Sequence, residues 1–209
     1  VSSRVRPPRG VGGDVGIHDE RRRRTALLKG SYANAKNSLI GHETRSTAVL
    51  SDENVALIES GCALIIGITT ADGSPVALRG WGLRVLADHD HDCDLTVRLV
   101  VDAVDVTEGH LHEGAAIAVT GADVRTLRSV QLKGRLRTLE DATAADRHTA
   151  ERFIDDFTQA IEDTDGMPPA LTRRMTPAGY AAAVLDITEF YDQTPGPSAG
   201  AALDDEATP

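Results

Sequence analysis

The chain has 209 residues, of which 41% are hydrophobic and 3% aromatic, and it carries a formal net charge of −10. That size supports one domain with extensions, and a core built from aliphatic rather than aromatic side chains. Two cysteines, Cys62 and Cys93, exclude a disulfide framework and point to the cytoplasm; no apolar run reaches membrane-spanning length, and the acidic body argues against nucleic acid as a partner.

Charge is unevenly placed: residues 1–50 carry a balance of +6 and the remainder −16. Residues 1–50 read as a basic N-terminal extension, rich in Pro, Gly and Arg at its start. Its densest cluster, Arg21–Arg24, precedes no apolar stretch and is not read as an export signal. A short helix follows, capped by Ser51 or Asp52, with Val55, Ala56 and Ile58 on its apolar side and Gly61 as its stop.

Strands come next. Residues 62–69 are apolar on both faces, as in a central strand. The run Ala71-Asp-Gly-Ser-Pro75 is a hairpin turn signal. Residues 76–87 form a long strand in which Gly80 and Gly82 flank Trp81 and are expected to share a face free of side chains; such a pair suggests a bulge or close approach of backbone to a ligand. Residues 88–94 form a polar loop. Its His89, His91 and Cys93, with His110 and His112, have zinc-ligand chemistry but no known ligand spacing, so a solvated loop and no metal are expected. Residues 95–101 form a further strand and residues 102–114 a helical crossover.

Residues 117–124 and 129–139 read as a strand pair. In the second, Val130, Leu132 and Leu136 point one way, and Ser129, Gln131, Lys133, Arg135 and Arg137 the other. Such a donor-lined face is either a solvated sheet surface or a site for an anionic or carbonyl-rich ligand. Residues 142–161 carry the clearest helical period, with Ala150, Phe153, Ile154, Phe157, Ala160 and Ile161 on one face; Gly166 and Pro168–Pro169 end that segment. A last strand, 180–191, precedes a Pro-, Gly- and acid-rich tail over 194–209. The fold class expected is mainly β (α+β): a six-stranded antiparallel barrel with flanking helices, spanning residues 51–193.

The chain holds no Gly-x-Ser-x-Gly turn, no phosphate-binding loop ending in Lys-Ser/Thr and no His-Glu-x-x-His helix. What remains is Arg79-Gly-Trp-Gly-Leu-Arg84 together with Arg128-Ser-Val-Gln-Leu-Lys133. Both set cations and donors on strands, and Trp81 adds a surface for ring stacking. A planar, oxygen-rich, anionic cofactor suits that set.

The order of elements resembles the pyridoxamine 5'-phosphate oxidase-like family, the FMN-binding split barrels. The residues carrying the likeness are 65–84, with the turn Asp72-Gly-Ser-Pro75 leading to Arg79, and Ala118-Val-Thr-Gly121 followed by Ser129-Val-Gln-Leu-Lys-Gly134. The resemblance implies a homodimer holding FMN at the subunit interface and oxidising or reducing a small molecule. Relatives bind a deazaflavin or haem, and a barrel without cofactor, serving as a binding module, is a further outcome. Arg79 and Arg84 match the family's Arg and a Lys five residues later, with Arg in place of Lys. The implied cofactor-binding residues are Arg79, Gly80, Trp81, Arg84, Ser129, Gln131 and Lys133; no general acid or base is assigned. The family's cationic segment after the third strand is replaced here by residues 99–107, which hold Asp102 and Asp105 and no cation. That leaves Arg84, Arg98 or Lys133 to receive a phosphate. A haem would need an axial ligand from His110, His112 or His148.

Overall fold

The structure, a computed structural model, describes residues 50–86 and 95–203. The basic extension, the His89–His91–Cys93 loop and the end of the tail lie outside the described residues. Six antiparallel strands close into a barrel in the order β1-β2-β3-β6-β5-β4: β1 (Ala63–Thr69), β2 (Pro75–Leu86), β3 (Leu95–Asp102), β4 (Ala116–Ala122), β5 (Ser129–Asp141) and β6 (Tyr180–Asp192). Closure comes from β4, which pairs with both β1 and β5 and leaves no free sheet edge. The expected six-stranded antiparallel barrel is the observed one.

Alternation decides what fills it. Leu64 and Ile66 of β1, Val97, Leu99 and Val101 of β3, Leu132 of β5 and Leu185 of β6 are all at most 1% exposed. Each contributes about 1.5–3 kcal/mol of burial. The aromatic residues Trp81, Phe153 and Phe157 are buried too, where helix meets barrel.

The helices are capped as their sequences suggest. In α1 (Asp52–Glu59) the Ser51 hydroxyl accepts from the Asn54 N–H at 3.3 Å. Part of the crossover is the five-residue α2 (Ala103–Thr107), where the Asp102 side chain accepts from the Val104 N–H at 3.0 Å. The long α3 (Ala144–Asp165) starts in a capping box between Thr143 and Asp146 and stops at Gly166, whose φ of 65° is the left-handed conformation that glycine adopts freely. A single turn, α4 (Pro169–Thr172), leads on towards β6. Among the described residues no helix is long and apolar enough to cross a membrane.

One expectation is corrected by a bulge. Gly80 and Gly82 do not share a face, because the β2–β3 register shifts between Gly80 and Leu83. A Cβ on Gly80 would meet Leu64 and Leu99 inside the barrel, whereas one on Gly82, at φ 135°, would meet Thr149 of α3. An extra residue in one strand turns the side chains after it to the other face.

Cys62 is buried beside the start of β1, and burial pushes its thiol up to about 12. A thiolate is the reactive species. In a Cys93→Ser background Cys62 is therefore expected to stay unlabelled by a thiol reagent at pH 8 in the native protein and to label at once in denaturant. Rapid native labelling, followed by mass spectrometry, would contradict that burial.

Candidate functional site

Strand register sets two cross-strand rows on the outer surface. The first runs Arg79 (β2), Ile65 (β1), Thr120 (β4), Gln131 (β5) and Tyr191 (β6); the second runs Ala77, Gly67, Ala118, Lys133 and Glu189. Neighbouring strands lie about 4.8 Å apart, so Arg79 and Gln131 stand about 14 Å apart along the first row. Between them are only Ile65, 47% exposed, and Thr120. The second row is flatter still, with Ala77, Gly67 and Ala118 on three adjacent strands. A flat, largely apolar strip with donors on its β5 side is what a planar ring with a polar edge requires.

A cavity of about 880 Å³ opens on the second row, lined by Gly67, Pro75, Ala118, Lys133, Arg135, Asp186 and Glu189 among others. The Lys133 ammonium lies 4.1 Å from the centroid of the Tyr191 ring and has no carboxylate partner among the described residues. The acids beside it are already engaged: Asp186 by the Arg137 guanidinium and Glu189 by the Tyr191 hydroxyl. Arg135 donates to the Gly114 carbonyl at 2.9 Å. Gln131 donates from Nε2 to the Thr120 hydroxyl at 3.0 Å, which orients its amide and leaves its second N–H, and its carbonyl, for a ligand. The β5–β6 register shifts at Lys133 and Gly134, where Thr188 is the extra residue on β6, and Lys133, Gly134 and Thr188 all line the cavity.

The other sequence-predicted residues gather elsewhere, under α3. The Arg79 guanidinium lies 5.2 Å from the Trp81 ring centroid and 4.4 Å from that of Phe157 on α3. Its Nε is buried without a partner, and burial lowers its pKa from the usual value. Trp81 is only 6% exposed, so its ring is spent on packing against Arg79. Arg84 donates to Asp146 Oδ1 at 2.8 Å. Arg98 makes a two-pronged contact with the same carboxylate, at 2.8 Å from Nε and 2.9 Å from Nη2, and a third bond to Glu140 at 2.6 Å.

Asp146 has no exposed side-chain surface and also accepts from the Thr143 hydroxyl at 2.6 Å and the Thr143 N–H at 2.8 Å. Burial alone would favour its neutral acid. The bonds from Arg98, Thr143 and Arg84 outweigh burial and hold the carboxyl well below the usual carboxylate range. The same pairing raises the Arg98 pKa. Two guanidiniums, Asp146 and Glu140 sum to zero charge. With its guanidiniums offset by its own carboxylates, the cluster offers a phosphate little net attraction. The Arg84–Arg98 pair, expected to grip an FMN phosphate, does not fit that group; the Gln131–Lys133 donors fit the polar edge of a flavin ring.

Ser129 is 8% exposed and its hydroxyl donates to the Leu127 carbonyl at 2.9 Å, at the turn before β5. Gly80 faces the barrel interior. The three histidines weighed as haem ligands are dispersed: His110 lies 3.3 Å from Asp105, His148 lies 3.9 Å from Glu151, and the His112 Nδ1 is buried without a partner. None of them lines the cavity. Among the described residues no group of three or more His, Cys, Asp or Glu is placed to hold a metal. Sequence reasoning missed Asp146, which the alternation of β2 and β3 could not reveal. Its one signal was the Thr143-x-x-Asp146 spacing of a capping box.

Several solved structures are similar to the chain, each at low identity. HupZ from Group A Streptococcus is 16% identical, with 73% of this chain and 100% of that chain covered and a TM-score of 0.42. An F420 reductase is 15% identical, covering 68% and 98%, with a TM-score of 0.40. A putative pyridoxamine 5'-phosphate oxidase from Lactobacillus delbrueckii is 16% identical, covering 70% and 97%, with a TM-score of 0.39. No protein-family model matches the chain, and no curated protein sequence matches it.

Proposed function

We propose that this protein is a split-barrel oxidoreductase that holds a flavin-type ring against the outer face of β1, β4 and β5 and acts on a small molecule as a homodimer. The observation that carries the reading is Lys133: a cation without a carboxylate partner among the described residues, at the wall of an 880 Å³ cavity, beside a strip of Gly67, Ala118 and Ile65. Lys133 and Gln131 supply donors for the oxygen- and nitrogen-rich edge of the ring, and a cation there favours negative charge as it develops. A second protomer laid on the exposed Ile65 strip would exclude water from the ring. The flavin, when bound, supplies the hydride and electron chemistry.

The test is uptake of flavin by the purified protein, followed by absorbance and fluorescence quenching. A micromolar or tighter complex is expected. Lys133→Ala is expected to weaken it about tenfold, the loss of one charge-assisted hydrogen bond. A colourless protein that takes up neither FMN, riboflavin nor a deazaflavin would overturn the reading, as would full affinity in Lys133→Ala.

A further inference from the structure

Every nitrogen of the Arg98 guanidinium is engaged: Nε and Nη2 by Asp146, Nη1 by Glu140. Arg84 spends Nη2 on Asp146, and its Nε is buried away from solvent with no partner. Glu59 accepts from the Val85 N–H at 2.7 Å, one residue further along β2. These two arginines are paired across β2 and β3 in register, a cross-strand arrangement of like charges that is unfavourable unless an anion bridges it. The bridging anion is the buried carboxylate of Asp146, which reaches them from the first turn of α3. Five donors converge on its two oxygens, which leaves it no capacity to share.

We propose that Asp146 is a specificity determinant: it fills from within the chain the anion site of Arg84 and Arg98, so that the ligand is recognised without a phosphate or other anionic group at this β2–β3 end. The inference rests on the flavin reading only for the identity of the ligand. Removing the internal anion while keeping the arginines converts the cluster into a phosphate site. The unmodified cluster takes none.

Two readouts test it. The first is the ratio of riboflavin to FMN dissociation constants, which isolates the phosphate. The expected result is a ratio unchanged between the wild type and Arg84→Ala, and raised about tenfold in Asp146→Asn, the gain from one newly available charge-assisted contact. A wild-type preference for FMN that Arg84→Ala reduces tenfold would overturn the proposal.

The second readout needs no flavin and so separates this inference from the functional one: the thermal midpoint with and without inorganic phosphate at constant ionic strength. Phosphate is expected to leave the wild type unshifted and to raise the midpoint of Asp146→Asn by a few degrees, roughly the effect of a ligand at ten times its Kd. Saturable protection of the wild type by phosphate, abolished in Arg84→Ala or Arg98→Ala, would overturn the proposal even if Asp146→Asn does not fold.

Discussion

Replacing Asp146 by Ala is expected to lower the unfolding free energy by about 3–5 kcal/mol, the cost of removing one partner of a buried ion pair. Three things are lost together. Arg98 keeps only Glu140, Arg84 loses its carboxylate, and the capping box that begins α3 is broken. The effect carries a pH signature whose sign follows from the depressed carboxyl. A carboxyl held below its unfolded value of 3.8 stabilises the fold fully at pH above that value, and the contribution is lost as pH falls towards the folded-state value. The gap between wild type and Asp146→Ala is therefore expected to be constant from pH 6 to 8 and to narrow below about pH 4. Urea melts at pH 7 and pH 3 measure it. A gap under about 1 kcal/mol at neutral pH, typical of an exposed pair, would show that the network does not hold α3 to the barrel.

Gly134→Ala is the second substitution with a large expected effect. A Cβ at Gly134 would lie 1.8 Å from the Asp186 carbonyl oxygen and 2.8 Å from the Ile187 Cα, both backbone atoms of β6. Flexible side chains can yield; a paired strand can do so only by opening. The loss is expected at about 3 kcal/mol or more, at or beyond the upper end of ordinary overpacking. The site is disturbed as well, since Gly134 lines the cavity beside Lys133 and β5 must part from β6 there. Flavin affinity should thus fall in the folded fraction of Gly134→Ala, whereas Gly73→Ala, in the β1–β2 turn with open space around it, should cost stability through its φ of 88° without touching affinity. Denaturation and titration on both variants compare these outcomes, and a Gly134→Ala protein of wild-type stability would refute the close approach.

The strands and the long helix were legible because period and punctuation agree along the chain. Alternation places Val130, Leu132 and Leu136 inside, as found. Thr143, Gly166 and the turn at Asp72-Gly-Ser-Pro75 mark ends where capping and turn chemistry work locally. The failures arise where the period breaks. The bulge after Gly80 sends Gly80 inward and Gly82 outward; the glycine pair announces a bulge, but not which face each glycine then takes.

The candidate residues divide on the same principle. That Gln131 and Lys133 share a donor-bearing face follows from a two-residue period and needs nothing beyond β5 itself. That Arg79 packs against Phe157, 78 positions along the chain, and that Arg84 meets Asp146, 62 positions along, was settled only when α3 docked on β2 and β3. Sequence alone determines the alternation, the caps, the turns and hence a six-stranded barrel. Tertiary structure decides which cations are spent on the chain's own carboxylates and which are left to face a cavity, because charge pairing depends on distance in space, which barrel closure and helix docking set between residues far apart in sequence.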